Sequence, residues 1–228
     1  MHPDSDSKAP RWGRRKESRP AELMAAALDL FVERGFAATR LDEVAARAGV
    51  SKGTLYLYFS SKEDLFKAVV RETIVPMIHE YQRNVEQSDL PSDQLLPALF
   101  RRWWEMFGAT KLAGIAKLIM AEAGNFPEVA EFFHTEVIEP NGALIAAVIQ
   151  RGIRRGEFRA VDVEAMSHLL MAPLVLKAIW AHSFDCLCEK TSGLDAERIL
   201  TAHADAALAA LRAPAPATAP APSKGSRS

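Results

Sequence analysis

The sequence predicts an all-α fold. Apolar residues recur at positions i, i+3 and i+4 through the central part of the chain, which is the spacing of one helix face. Alternating β-branched residues, which are typical of strands, are scarce, and dipeptides that mark turns are few. Hydrophobic residues make up 49% and charged residues 25% of the 228 residues, which is typical of a soluble globular protein.

The composition divides the chain into four parts. Residues 1–18 combine clustered cations with few apolar side chains, so we expect a disordered basic arm. Residues 213–228 form a Pro/Ala-rich tail that cannot pack. Between them we expect two helical domains, residues 19–66 and 67–212. Because the net charge is −1, any basic surface must be local.

Several other classes of protein and site are disfavoured. The N-terminus lacks the apolar core of a secretory signal, and the most apolar run, from Leu169 to Ala181, is short for a bilayer and carries Lys177. Cys186 and Cys188 lie too close together for a disulfide framework. We therefore expect a cytoplasmic protein without a membrane partner. No histidine spacing or glycine pattern indicates a metal or cofactor, and neither is expected.

The first two helices follow from their terminal residues. Pro20 suits a first helical position, and Gly35 suits the left-handed residue that ends a helix. Thr39 then predicts the N-cap of a second helix, with Asp42 three residues later as in a capping box.

The stretch GVSKG, residues 49–53, fits two different structures. G-x-S-x-G is the nucleophile elbow of serine hydrolases, which requires a strand before the first glycine. The preceding residues, LDEVAARA, have helical periodicity instead, and no alternation of strands and helices follows. The context therefore favours a turn at Gly49 and a third helix capped by Ser51.

Further helices cover the rest of the chain. Ser61 predicts the N-cap of a fourth helix, with a bend at Pro76. Apolar periodicity then predicts helices over about 91–108, 110–124, 127–154, 162–182 and 195–212. Kinks or short breaks are expected at Pro97, Pro140 and Pro173.

The segment FVERGFAATRLDEVAARAGVSKGTLYLYFSSKEDLFKAVV resembles the N-terminal DNA-binding domain of TetR-family bacterial transcriptional regulators. The elements T-x-x-[DE]-[IV]-A, A-G-V-S-x-G-T-L-Y-x-Y-F and S-K-E-x-L occur in order and at the family's spacing. Further on, KLIMAEAGNFPEVAEFF looks like a C-terminal domain common among TetR-type repressors. The resemblance implies a helix-turn-helix domain followed by a larger helical domain for ligand binding and dimerisation.

A recognition helix enters the major groove with its N-terminal end, so that end should be small and polar. Lys52, Gly53 and Thr54 meet this need, and an exposed Leu57 could meet a thymine methyl. Tyrosine hydroxyls and a lysine one turn into the fourth helix suit phosphates, and the resemblance implies a backbone contact at the start of the second helix. The predicted DNA-binding residues are Thr39, Arg40, Lys52, Gly53, Thr54, Tyr56, Leu57, Tyr58 and Lys62.

Aromatic and methionine side chains concentrate in the larger half. Each one alone suits an ordinary core, but together they could line an apolar ligand cavity with two histidines as polar contacts. The candidate ligand-binding residues are Met77, Trp103, Trp104, Phe107, Met120, Phe133, His134 and His168.

The last two helices suit a homodimer interface. The helix at 162–182 is apolar nearly all the way round, and that at 195–212 is alanine-rich. The leading hypothesis is a repressor released from a palindromic double-stranded DNA operator by a small apolar or aromatic effector. Two alternatives remain: a DNA-binding regulator whose larger domain only dimerises or binds a protein, and a serine hydrolase acting through Ser51.

Overall fold

The chain is helical throughout the part that the structure, a computed structural model, describes: residues 11–184 and 195–212. Within these ranges there is no β-strand, and only an isolated bridge joins Phe158 to Arg212. The all-α fold class is therefore confirmed. Residues 1–10, the predicted tail 213–228, and Cys186 and Cys188 lie outside the described residues.

The first four helices form the N-terminal region that we call the head, residues 11–73. They are α1 (Arg11–Arg34), α2 (Leu41–Arg47), α3 (Lys52–Tyr56) and α4 (Lys62–Thr73). Helix α1 packs on α2 and α4, and α2 packs on α3. The boundary predicted between residues 66 and 67 falls within α4.

The remaining helices form the body, residues 75–184 and 195–212. They are α5 (Val75–Gln87), α6 (Ser92–Trp103), α7 (Ala113–Glu122), α8 (Pro127–Phe133), α9 (Glu139–Arg154), α10 (Val163–Ala181) and α11 (Ala196–Leu211). A π-helical segment, Trp104–Gly108, extends α6, and a second, His134–Ile138, joins α8 to α9. The body meets the head where α7 packs on α1 and α8 packs on α4.

Capping residues position α3 and α4 as the sequence predicts. The Ser51 hydroxyl accepts a hydrogen bond from the backbone N–H of Thr54 at 3.1 Å, and Ser61 accepts one from Asp64 at 3.0 Å. Gly49 has a φ of +67°, which ends the turn after α2 with little steric cost. Ser51 is therefore a helix cap, and no strand precedes it in the described chain.

The start of α1 differs from the prediction. The helix begins at Arg11, so Pro20 lies in its interior and residues 11–18 have helical rather than disordered backbone. A proline inside a helix removes one hydrogen bond. The preceding Arg, Lys and Glu residues are good helix formers, which favours continuation through this position.

The prolines of the body have unequal effects. The chain breaks between α4 and α5 just before Pro76, and a π-helical segment precedes Pro140, as expected for residues that cannot donate to the helix ladder. By contrast, α6 and α10 continue through Pro97 and Pro173 without the predicted break. Fully buried leucines next to both prolines hold these two helices in place by tertiary packing.

Candidate nucleic-acid interface and internal cavity

Helices α2 and α3 form a helix-turn-helix unit held by a small core. Leu55 of α3 is fully buried and lies in the same core as Val44 and Ala45 of α2. The turn at Gly49 brings the two helices together without a long loop. The buried face of α3 therefore fixes the orientation of its opposite face.

The outer face of α3 is exposed and partly apolar. Tyr56 is 47% exposed and Leu57, which follows the helix, is 82% exposed. Lys52 is also exposed, and its Nζ lies 6.0 Å from the centroid of the Tyr56 ring. A cation, an aromatic ring and a large aliphatic side chain on one open surface suit a partner that offers both charge and apolar groups.

Gly53 is exposed within this face and is not required by the fold. A Cβ atom added there would meet only the Ser51 Oγ, at an ordinary contact distance of 3.9 Å. Its φ does not lie in the left-handed region. The missing side chain therefore leaves room for something outside the chain.

Three further predicted residues surround α3. Arg40 is exposed, and its Nε and Nη2 atoms donate to the Asp42 carboxylate at 3.2 and 3.3 Å. This guanidinium holds the pKa of Asp42 below its usual range. Thr54 is half-buried, with its hydroxyl 2.8 Å from the Ser51 hydroxyl, and Tyr58 is half-buried against the core.

The prediction for Thr39 is wrong. The residue is only 2% exposed, and its hydroxyl donates to the carbonyls of Gly35 at 2.7 Å and Leu30 at 3.2 Å. It therefore fastens the turn after α1, and its side chain neither caps α2 nor reaches a phosphate. The N-cap of α2 is Arg40, without a side-chain hydrogen bond.

Lys62 also lies elsewhere than predicted. Its ammonium group donates to the carbonyls of Phe36 at 2.7 Å and Ala37 at 3.1 Å, instead of extending towards the surface of α3. Burial lowers the pKa of this lysine. Two of the three ammonium hydrogens are therefore directed at the turn between α1 and α2, which favours a positioning role for Lys62 over a DNA contact.

The body encloses a cavity of about 160 Å³. Its wall is mostly aliphatic and aromatic and is built from Ile74 and helices α5 to α10, with one partly open side near Met120, which is 73% exposed. The lining residues are Ile74, Met77, Ile78, Tyr81, Trp103, Phe107, Ala116, Ile119, Met120, Phe133, Val137, Ile138, Asn141, Gly142, Ser167, His168, Met171 and Val175.

Six of the eight candidate ligand-binding residues lie on this wall, whereas Trp104 and His134 do not. Trp104 adjoins Trp103, so its side chain points about 100° away from it around the helix, and its ring packs beside Gly108. The exposed His134 lies with its Nδ1 3.3 Å from a Glu139 carboxylate oxygen. The six are Met77, Trp103, Phe107, Met120, Phe133 and His168.

Most of the polar residues on the wall were not predicted from the sequence; they are Tyr81, Asn141 and Ser167. Tyr81 follows Met77 by one helical turn and could have been found by that spacing. Ser167 precedes His168 but carries no signal of its own. Asn141 follows the second π-helical segment, which interrupts the regular helical spacing before it.

Each of these three polar side chains donates one hydrogen bond to a backbone carbonyl. Tyr81 donates to Arg102 at 3.1 Å, Ser167 to Val163 at 2.7 Å, and the Asn141 amide to Val137 at 2.8 Å. Burial raises the pKa of Tyr81 to about 12, so the phenol stays neutral. The lining contains no Lys, Arg, Asp or Glu. The cavity lining therefore carries no permanently charged side chain.

Comparison with known proteins identifies both halves. Residues 23–69 match the family described as bacterial regulatory proteins, tetR family, and residues 89–184 match the tetracyclin repressor-like C-terminal domain. The HTH-type transcriptional repressor KstR2 of Rhodococcus jostii is 32% identical over 156 residues, which cover 65% of this chain and 72% of that protein. The chain belongs to the TetR family.

Solved TetR-family structures have the same fold. A regulator from Mesorhizobium loti superimposes with a TM-score of 0.65 at 26% identity, over 89% of this chain and 96% of the other. FadR from Bacillus subtilis, solved in complex with stearoyl-CoA, superimposes with a TM-score of 0.66 at 18% identity, over 83% and 95%.

Membership in the TetR family gives the chain its function. The matched segment 23–69 contains the whole helix-turn-helix unit, and the GVSKG stretch lies inside it. This TetR-family protein is a DNA-binding transcriptional regulator. In the described ranges, no group of three or more His, Cys, Asp or Glu side chains could hold a metal ion.

Proposed function

We propose that this regulator is a homodimeric repressor that leaves its palindromic operator when a small apolar effector fills the cavity of the body. The observation that carries the proposal is the position of the cavity wall. Helices α7 and α8 line the cavity and also pack on α1 and α4 of the head. A ligand that moves this wall therefore acts directly on the DNA-binding region.

Operator binding is assigned to the exposed face of α3. Lys52 supplies charge for phosphates, Gly53 allows close backbone approach, and Leu57 offers an apolar contact for a thymine methyl. Tyr56 completes this face, while Arg40, Thr54 and Tyr58 lie at its edge. Two such faces require half-sites about one helical turn, roughly 34–36 Å, or more apart.

The dimer interface is assigned to α10 and α11. One face of α10 is buried through Leu170 and Leu174, whereas Leu169 and Leu176 on other faces are 66% and 62% exposed. By length and composition alone α10 could cross a membrane, but it packs on α7, α9 and α11. A second copy of the chain would cover its apolar surface in a cytoplasmic protein.

The size of the cavity limits what it can hold without moving. An engineered protein cavity of about 150 Å³ binds benzene, so about 160 Å³ accommodates a single ring or a short chain. A longer apolar ligand must displace the wall. Such a ligand binds the displaced form better than the resting form, which is the condition for shifting an equilibrium between them.

The side chains that line the cavity limit the charge that an effector can carry inside it. A buried carboxylate would meet no Lys or Arg in this lining, and burying an unpaired charge is costly. The part of the effector inside the cavity is therefore neutral. An anionic group, if present, stays outside the open side near Met120, where His168 is exposed.

The relatives suggest which compounds to test first. The Rhodococcus relative is named as a repressor, and the Bacillus subtilis neighbour was solved with stearoyl-CoA, in which an apolar chain joins a charged group through a neutral thioester. This arrangement matches a neutral cavity with an open side. We therefore choose decanoyl-CoA, methyl decanoate and decanoic acid as a set that differs only at the head of the chain.

The operator is found by footprinting the protein on the DNA that flanks its gene. Operator affinity is then measured with each compound. We expect methyl decanoate and decanoyl-CoA to weaken operator binding by about 5–150-fold, and ionised decanoate to be much less effective. Compounds that bind without changing operator affinity would instead support the alternative in which the body only dimerises or binds a protein.

A further inference from the structure

The end of α7 contacts the head directly at the turn between α1 and α2. A carboxylate oxygen of Glu122 accepts a hydrogen bond from the backbone N–H of Ala37 at 3.3 Å. The same oxygen lies 3.6 Å from the position that a Cβ atom on Gly35 would occupy. A residue of the body thus holds the backbone of the turn that leads into the helix-turn-helix unit.

Phe126, between α7 and α8, makes a second contact with this turn. Its ring packs edge-on against the fully buried ring of Phe36, with the centroids 4.7 Å apart. Phe36 in turn packs on Phe31 at 5.5 Å and on Phe66 at 5.7 Å. The aromatic core of the head therefore continues into the body through Phe126.

Lys62 joins these two contacts. In addition to its hydrogen bonds to the carbonyls of Phe36 and Ala37, its Nζ lies 4.6 Å from the centroid of the Phe36 ring and 5.7 Å from that of Phe126. The Glu122 carboxylate interacts electrostatically with the same ammonium group. A cation from α4, a carboxylate from α7 and an aromatic ring from the α7–α8 connection thus surround one short turn.

The other end of α7 is packed too closely to move freely. A Cβ atom on Gly114 would lie 2.6 Å from a methyl carbon of Val32 in α1, so the two helices are in tight contact there. Between Gly114 and Glu122, the residues Ala116 and Ile119 line the cavity. Pressure from inside the cavity would therefore tilt α7 about its Gly114 end.

The geometry makes even a small tilt effective. At 1.5 Å per residue, Glu122 lies about 12 Å along the helix from Gly114, so a tilt of about 5° moves it by about 1 Å. A hydrogen bond that is already 3.3 Å long does not survive such a displacement in the unfavourable direction.

We infer that Glu122, Phe126 and Lys62 form a coupling joint, through which movement of the cavity wall shifts the turn at residues 35–38 and hence the orientation of α2 and α3. The inference rests on the proposed effector response. It assigns Lys62 a positioning role rather than a DNA contact.

Another polar link across the same boundary provides a matched control. Lys111 donates to Asp29 at 2.6 Å between exposed side chains, and neither residue lines the cavity. Exposed ion pairs of this kind contribute little. The variant Asp29→Asn therefore removes a contact between body and head without touching the joint.

The test compares the double variant Glu122→Ala/Phe126→Leu with wild type and Asp29→Asn, using decanoyl-CoA as the probe. For each protein, operator affinity is measured with and without the probe, and probe affinity is measured without DNA. If the double variant fails to fold, Glu122→Gln and Lys62→Met replace it. Both substitutions keep most of the packing. Glu122→Gln removes only the charge, whereas Lys62→Met removes the charge and the two hydrogen bonds to Phe36 and Ala37.

In wild type and Asp29→Asn we expect the probe to weaken operator binding by about 5–150-fold. In the double variant we expect unchanged probe affinity, but a loss of operator affinity on probe binding of less than about 3-fold. In Lys62→Met, the number of counterions released on binding should stay the same. A double variant that releases the operator as wild type does would overturn the inference.

If decanoyl-CoA does not affect wild type, the effector proposal fails but the joint can still be tested. Gly142 lines the cavity, and a Cβ atom added there meets nothing within 4 Å, so Gly142→Leu fills the space without a ligand. We expect this substitution to speed amide hydrogen exchange at Ala37 in the wild-type background and to cause no further change in the double variant. The same change in both backgrounds, or none in either, would overturn the joint.

Discussion

Glycines serve different purposes in the head and in the body. In the head, Gly53 has open space around it, so its small size serves the outside of the molecule. In the body, a Cβ atom on Gly108 would lie 2.4 Å from a ring carbon of Trp104, and one on Gly152 would lie 2.2 Å from the Phe158 ring. The body is therefore packed to contact wherever its glycines lie within the core.

The close packing around these glycines makes the cavity a specific feature of the body. Because single Cβ atoms find no room at Gly108, Gly114 and Gly152, about 160 Å³ of space lined by apolar side chains is not general looseness. In the head the open surface is the exposed outer face of α3, and in the body it is the inner wall of the cavity. The two surfaces differ in chemistry, because the outer one carries the cation of Lys52 and the inner one has no Lys, Arg, Asp or Glu.

The largest predicted effects come from charged substitutions on α10, and they differ between its buried side and its exposed side. Leu174 is fully buried, so Leu174→Glu should unfold the protein by burying an unpaired charge, at a cost of several kcal/mol. Leu176 is mostly exposed in the single chain, so Leu176→Glu should leave a folded monomer that binds operator at least about 100-fold more weakly. Circular dichroism, sedimentation and DNA titration give these results. A dimeric Leu176→Glu protein would move the interface elsewhere.

Alanine substitutions at Gly108 and Gly53 test this difference between the two regions. Gly108→Ala should lower the free energy of unfolding by about 1–3 kcal/mol, because the new methyl overlaps the Trp104 ring. Gly53→Ala should leave stability unchanged or raise it by up to about 1 kcal/mol, because alanine favours a helix. Operator affinity of Gly53→Ala should nevertheless fall about tenfold, which corresponds to about 1.4 kcal/mol.

Chemical denaturation and operator titration of both alanine variants check this pair of effects. Equal loss of stability in the two variants would mean that Gly53 has a role inside the fold, contrary to the space around it.

Two lysines ten residues apart should differ in their salt dependence. Lys52→Met removes an exposed cation from the DNA-facing surface, so the slope of log affinity against log salt should fall by about one unit. Lys62→Met should leave that slope unchanged, because its ammonium group is bound to the carbonyls of Phe36 and Ala37. Operator binding over a range of salt concentrations measures both, and equal slopes for the two variants would restore Lys62 as a phosphate contact.

The smallest predicted effect concerns a histidine of the body. His203 of α11 packs on Phe100 with the ring centroids 4.8 Å apart, and its Nε2 is buried without a hydrogen-bond partner among the described residues. Burial lowers the pKa of His203 from its ordinary value of 6.5, so the unfolded chain binds the proton more readily. Stability should therefore fall as the pH drops below about 6.5 towards the folded-state pKa.

The variant His203→Phe keeps the ring packing and removes this titration. Its melting temperature should fall less than that of wild type between about pH 8 and about pH 5. Identical pH dependence in the two proteins would show that the proton binds equally well in the folded and unfolded states.

The sequence predicts most of the head because local interactions determine it. Ser51 and Ser61 cap the helices that follow them, and Gly35 and Gly49 supply left-handed turns, all within a few residues. The pattern of residues was therefore sufficient to reject the hydrolase geometry at GVSKG and to place α3.

Contacts between distant parts of the chain were not predictable in the same way. Thr39 has the character of a cap, but it bonds to carbonyls of the preceding helix, and Lys62 bonds to a turn 25 residues earlier. Trp104 lies off the cavity because it adjoins Trp103 and points to a different side of the helix, and its ring packs beside Gly108. In each case the deciding interaction depends on tertiary packing, which local spacing does not report.

The effector proposal is tested most directly by measuring whether operator DNA and decanoyl-CoA weaken each other's binding. Decanoyl-CoA affinity is measured by calorimetry on the wild-type dimer, free and saturated with operator DNA, and operator affinity is measured with and without decanoyl-CoA. Because linkage is reciprocal, the operator must weaken decanoyl-CoA binding by the same factor, about 5–150-fold, by which decanoyl-CoA weakens operator binding. Tight binding of decanoyl-CoA with equal affinity to the free and the DNA-bound protein would contradict the proposed coupling between the cavity and the operator.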